Sequence, residues 1–161
     1  MGRKIALDKL TFISGGQTGI DRAVLDFCLD HQLSCGGWCP EGRMAEDGPI
    51  NRKYPVKELP GATYEDRTMA NVKESDVTVI LYHGRISGGT LKSFEFATGL
   101  GKPCLPINLE ELPPGEAAII FLEFIDRLEP VIINFSGPRQ SEWKRAYDLC
   151  IVFLNTIFDH Q

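Results

Sequence analysis

No stretch of this 161-residue chain is apolar for long enough to cross a bilayer. The amino-terminal MGRKIALDKL also lacks an apolar core followed by a small-residue cleavage site. Membrane insertion and export are thereby excluded as readings, and a cytoplasmic location is expected. Basic runs are missing too. Seventeen Lys and Arg against 22 Asp and Glu leave a net charge of −5 with no basic stripe, so nucleic acid is not an expected partner. The five cysteines are odd in number and irregularly spaced, with no second pair to complete a metal site, which points to reduced thiols and no metal centre. No GxxxxGK[ST] occurs, so P-loop hydrolysis of a nucleoside triphosphate has no support. Repeats, low-complexity tracts and linkers are likewise absent, and residues 1–161 read as one domain.

What is present is an alternation of two periodicities. LTFIS (10–14) reads as a strand, and 18–32 as a helix with Thr18 as N-cap and Asp21 near the positive end of its dipole. LSCGGWC reads as a second strand, and PEGRMAEDGPINRKYP as a long polar loop of the kind that often carries function. YEDRTMANVKES is a helix, and DVTVILYH a strand suited to burial on both faces. LKSFEFATGLG is a helix, KPCLPIN a strand, PGEAAIIFLEFIDRL a helix opened by Pro114, PVIINFSGP a strand and QSEWKRAYDLCIVFLNTIF a closing helix. Strands alternating with helices predict an α/β fold, an open, mostly parallel sheet with helices on both faces.

In such sheets ligands bind outside the carboxyl ends of the strands. Three predicted strands run into glycine-bearing turns there: SGGQTG, GRISGGT and NFSGPR. Glycine lets the backbone approach a ligand, and helix starts offer unpaired N–H groups, so a shared anion pocket is expected. Its candidate residues are Gly15, Gly16, Gln17, Thr18 and Gly19 in the first turn, Ser87, Gly88, Gly89 and Thr90 in the second, and Gly137 in the third. A tight corner would use glycine as well. Against GxGxxG, the first turn has Ser14 in place of the leading glycine.

The segment Cys35–Pro49 places Trp38 beside Cys39 and Pro40, followed by Arg43. This combination offers a ring for stacking and a cation for phosphate, or equally a rigid loop over the sheet edge. Cys39 is read as a structural thiol before a soft-metal ligand. His83, just after a strand, is a candidate donor to phosphate or an acid–base group, or else a hydrogen-bonded strand end. Cys28, Cys104 and Cys150 sit in apolar patterns and read as core, and the aromatic closing helix as core or subunit interface.

ISGGQTGIDRA, CGGWCPEGRMAEDGPI, YPVKELP, RTMANVKESDVTVIL, SGGTLKSFEFA, GKPC and NFSGPR together resemble the bacterial molybdenum carrier protein family over nearly the whole chain. That resemblance implies a Rossmann-like fold and a homo-oligomer. It also implies a binding role for molybdenum cofactor, a phosphate-bearing pterin dithiolene, with molybdoenzymes as acceptors.

The layout RTMANVKESDVTVILYHGRISGGTLKSFE is also similar to that of the LOG phosphoribohydrolases, with Ser87 in place of the proline that opens their glycine motif. This resemblance implies a nucleoside phosphate as the alternative ligand, with Arg67 and Glu95 as a catalytic pair. A guanidinium can clamp phosphate or ribose, and a carboxylate can assist attack at an N-glycosidic carbon. The plainer expectation for these two residues is a helix-surface ion pair. Two functions are therefore carried forward: a cofactor carrier and a nucleotide-processing enzyme.

Overall fold

The computed structural model describes residues 5–160. In chain order its strands are β1 (Thr11–Ile13), β2 (Ser34–Gly36), β3 (Trp38–Pro40), β4 (Met44–Ala45), β5 (Gly48–Pro49), β6 (Lys57–Leu59), β7 (Val77–Tyr82), β8 (Cys104–Asn108) and β9 (Ile132–Ser136). Its α-helices are α1 (Ile20–Asp30), α2 (Tyr64–Glu74), α3 (Gly88–Gly99), α4 (Pro114–Leu128) and α5 (Ala146–Asp159). The strand–helix alternation read from periodicity is present throughout.

Local chemistry sets most boundaries. A reciprocal capping box between Thr63 and Asp66 opens α2, and Pro114 opens α4. Two starts differ from expectation. Thr18 does not cap α1: the N-cap is Gly19, and the Thr18 hydroxyl instead donates to Glu46 and accepts the Gln140 N–H. The closing helix begins at Ala146 rather than Gln140, because the Gln140 side chain binds Lys144 O and Tyr147 N and so holds 140–145 as a turn.

The central sheet is fully parallel, in the order β2-β1-β9-β7-β8. The last strand thus sits in the middle, with Ile133 level with Phe12 on one side and Val77 on the other. Counting β9 as the first strand turns the order into 3-2-1-4-5, that of a doubly wound Rossmann-type sheet. The chain is therefore a circular permutation of that arrangement.

The two sheet faces differ in kind. Helices α1, α4 and α5 pack together on one face, over an apolar core that includes Phe12, Phe27, Phe121, Phe135 and Phe153. Helices α2 and α3 pack on the other, where alternate strand residues are polar. There Asn134 donates to Thr78 Oγ1 at 3.3 Å, and the Ser93 and Ser136 hydroxyls meet at 2.7 Å. Pairing keeps buried polar groups tolerable, and it makes this face a polar layer leading to the carboxyl edge of the sheet.

The stretch read as one strand, LSCGGWC, splits at Gly37, whose φ is +131° and whose Cβ would fall 1.9 Å from Ser14 O. Strand β3 consequently leaves the sheet and pairs in parallel with β6. Residues 40–56 fold over a satellite core of Leu25, Cys39, Ala45, Ile50, Tyr54 and Val56, and include the β4–β5 hairpin. At its centre the buried Arg43 guanidinium donates to four backbone carbonyls, Ile50 and Val56 at 2.9 Å, Asn51 at 2.9 Å and Tyr54 at 3.1 Å.

Candidate functional site

After β9 the chain turns toward the face carrying α5, and after β7 toward the opposite face carrying α3. Adjacent parallel strands whose connections diverge leave a crevice between them at their carboxyl ends. The β1 turn closes one flank of this crevice. Gly19, at φ +80°, and Gly137 permit the closure: a Cβ on Gly19 would lie 2.5 Å from Pro138 O, and one on Gly137 2.4 Å from Leu81 O. These two glycines are required by packing alone.

The resulting cleft is small, about 40 Å³, and opens to solvent. Its wall includes Gln17, Asp21, Arg67, Gly89, Thr90 and Ser136. Gln17 is only 6% exposed, and its Oε1 accepts the N–H groups of Thr18 and Glu46, which fixes the amide. Its Nε2 is buried without a protein partner, and so is Arg67 Nε. Two buried donors left open on one cleft are costly unless something accepts from them.

Arg67 lies flat over the β1 turn because Gly15 has no side chain; a Cβ there would meet Arg67 Nη1 at 1.7 Å. The same nitrogen stands 3.5 Å from Asp21 Oδ2. Burial pushes the Asp21 carboxyl above its ordinary value, only partly offset by the Arg67 charge and by hydrogen bonds from the Gln17 and Gly15 backbone. On the opposite lip, Gly88 (φ +56°) and Gly89 start α3, and a Cβ on either would meet no protein atom within 4 Å. At Gly89, outside the positive-φ region, neither backbone nor packing asks for glycine.

The predicted residues divide. The structure brings Gly15, Gln17, Arg67, Gly88, Gly89, Thr90 and Gly137 to the cleft wall or its immediate frame. His83 and Ser87 line an adjoining cleft that shares Thr90, Pro138 and Glu142 with the first. The others stand elsewhere. Gly16 is packed under Ile50, with its carbonyl accepting from Arg22, and Thr18 is bonded to Glu46. Trp38 lies in β3 against α2, its backbone paired with the Asn71 amide and its indole N–H donating to Glu74. Arg43 is not a phosphate cation, since four carbonyls consume its donors. Glu95 is corrected as well: its side chain is 50% exposed, 3.7 Å from Lys92, and does not line the cleft. Cys39 is buried, and burial pushes its thiol up. Among the described residues no group of three or more His, Cys, Asp or Glu is placed to hold a metal.

Sequence reading missed Asp21 and Ser136 as cleft residues. Asp21 had been read as a helix-dipole residue; its signal is a carboxylate on an otherwise apolar helix face, between Ile20, Val24 and Leu25.

A circularly permuted Rossmann-like domain with a polar cleft at its switch point is the class these features define. Residues 12–158 match the model of the circularly permutated YpsA SLOG family, and the chain belongs to that family. It is similar to a crystal structure from Syntrophus aciditrophicus SB described as "Putative molybdenum carrier protein". Identity is 37%, with 96% of this chain and 97% of that one covered and a TM-score of 0.92. No curated protein matches. No helix among the described residues is long and apolar enough to cross a membrane.

Proposed function

We propose that the protein is a carrier that holds a phosphate-bearing heterocycle, molybdenum cofactor, by its phosphate in the switch-point cleft. The observation that carries this reading is the pair of buried, unpartnered donors, Gln17 Nε2 and Arg67 Nε, on two side chains that line the cleft together with Gly89. Phosphate oxygens supply the acceptors these groups lack, and the α3 amino terminus adds backbone N–H groups and a favourable dipole. The fit is to the phosphate end. The cleft brings no thiol to molybdenum, so metal would travel on the cofactor's own dithiolene as cargo. The name of the Syntrophus relative supports molybdenum as that cargo. Molybdoenzymes are the acceptors this reading names.

Isothermal titration with inorganic phosphate and with the phosphorylated pterin tests it. Both should bind the native protein, the pterin more tightly, and Arg67→Ala should lose most of the affinity for each. Binding unchanged by Arg67→Ala and by Gln17→Ala would remove the cleft from consideration.

The nucleotide-processing alternative keeps Arg67 but not Glu95. The carboxyl beside Arg67 is Asp21, buried and held above its ordinary value, as a proton donor to a leaving base would need to be. Release of free base from a nucleoside monophosphate, abolished by Asp21→Asn and untouched by Glu95→Gln, is the result this reading requires.

A further inference from the structure

The cleft that takes the phosphate does not end at Thr90. Across Thr90, Pro138 and Glu142 it continues into a second hollow between the β7–α3 and β9–α5 loops, whose far side carries His83. The His83 ring lies parallel to the buried Trp143 indole, with centroids 4.7 Å apart and planes 20° apart. Trp143 is itself fixed, because its Nε1–H donates to Glu110 Oε1 at 3.0 Å, and Glu110 also binds Arg145 at 2.7 Å. His83 is thus backed on one face by an immobile indole, which leaves its other face for a planar ring. Such a wall is preorganised, because the side chain on which a ligand ring would stack is already ordered before binding.

Glu142 stands on the wall common to both hollows. Its Oε1 meets Arg139 Nε at 3.0 Å in a half-exposed pair, a contact that contributes little and can open. A carboxylate in this position is an acceptor-only group with room for two N–H donors side by side. Among common rings, the 2-amino-4-oxo edge of pterin, which guanine carries as its 2-amino-6-oxo edge, presents two such donors, whereas adenine presents one donor beside an acceptor that would face the carboxylate oxygen.

We propose that His83, backed by Trp143, and Glu142 form a ring subsite continuous with the phosphate cleft, selecting heterocycles with a 2-amino-4-oxo edge over adenine. This rests on the phosphate-binding reading of the neighbouring cleft and names what that reading leaves open, the group that chooses the ring.

The test uses calorimetric titration of the full chain with GMP, IMP, AMP and ribose 5-phosphate. Native protein should bind GMP roughly 10- to 100-fold more tightly than AMP, the range expected for a charge-assisted donor pair gained against an unpaired acceptor. IMP, with one donor of the two, should fall between them. Glu142→Gln should erase the GMP preference, read as the GMP-to-AMP affinity ratio, and any effect of the lost charge on the shared phosphate wall should appear equally with ribose 5-phosphate. His83→Ala should weaken all three nucleotides and spare ribose 5-phosphate. Equal affinity for GMP and AMP, or a preference that survives Glu142→Gln, overturns the subsite while the phosphate site stands. Failure of every compound, ribose 5-phosphate included, removes the phosphate site and the subsite with it. Circular dichroism of each variant guards against misfolding, and Glu142→Asp, which keeps the charge, should retain part of the preference.

Discussion

Arg67 Nη1 stands 3.5 Å from Asp21 Oδ2, while the Nε of the same guanidinium is buried with no protein partner. One group thus balances a buried carboxylate and keeps a donor that the protein leaves unpaired. A charge removed from water on these terms is costly when its partner is lost.

Acidification should therefore tighten anion binding. Asp21 ionises above its ordinary value of 3.8, and below that raised point it no longer competes for Arg67. Titrated with sulfate, whose charge is constant, the native protein should bind more tightly as pH is lowered through that raised point. Asp21→Asn should flatten most of that slope. Stability follows the same sign. A folded value above the unfolded one means that the folded state holds the extra proton, so Asp21's contribution favours folding at low pH. It is lost as pH rises from the unfolded value through the raised one.

Gly89→Ala separates stability from binding. No protein atom lies within 4 Å of the added Cβ, and Ala favours a helix over Gly by roughly 0.5–1 kcal/mol. The melting temperature should hold or rise while phosphate affinity drops at least severalfold, as read by thermal unfolding and titration together. Unchanged affinity would mean that no ligand uses that lip.

Gly15→Ala should act at a distance through Arg67. The new Cβ would fall 1.7 Å from Nη1, so the guanidinium must swing off the turn. Phosphate affinity should fall nearly as far as in Arg67→Ala, with Asp21 left unbalanced and the fold destabilised by about 1–3 kcal/mol in denaturant titration.

Arg43→Lys should do the reverse. An ammonium cannot reach four carbonyls fanned around a planar fork, and the carbonyls left behind are buried. A loss of about 3 kcal/mol or more in chemical denaturation is expected, with phosphate affinity of the folded molecules intact. A specific loss of affinity would return Arg43 to the ligand.

The alternating elements were legible because each obeys a local period: the buried run of β7, the Pro114 start of α4 and the apolar stripe of α1 need no tertiary knowledge. Strand order was not legible, since nothing in PVIINFSGP says that it lies between β1 and β7. Arg43 misled for a related reason. In sequence it is a cation in a polar loop, and only the fold supplies the four carbonyls that claim it. Glu95 could have been placed: five residues after Thr90 on a helix is about 140° around the axis, so the two cannot face one cleft. The glycine turns pointed to the correct sheet edge, but two of the glycines they flagged, Gly19 and Gly137, serve loop closure.

Among the described residues, β9 joins the β2–β1 pair to the β7–β8 pair within the sheet, since β1 and β7 do not pair with each other. During synthesis both pairs leave the ribosome before residues 132–136 can join them, and Gly137 and Glu142 emerge later still. A nascent chain therefore lacks this cleft until residues 132–142 have been translated. A chain stopped short of that segment would keep two unsealed strand edges for chaperones and proteases to recognise.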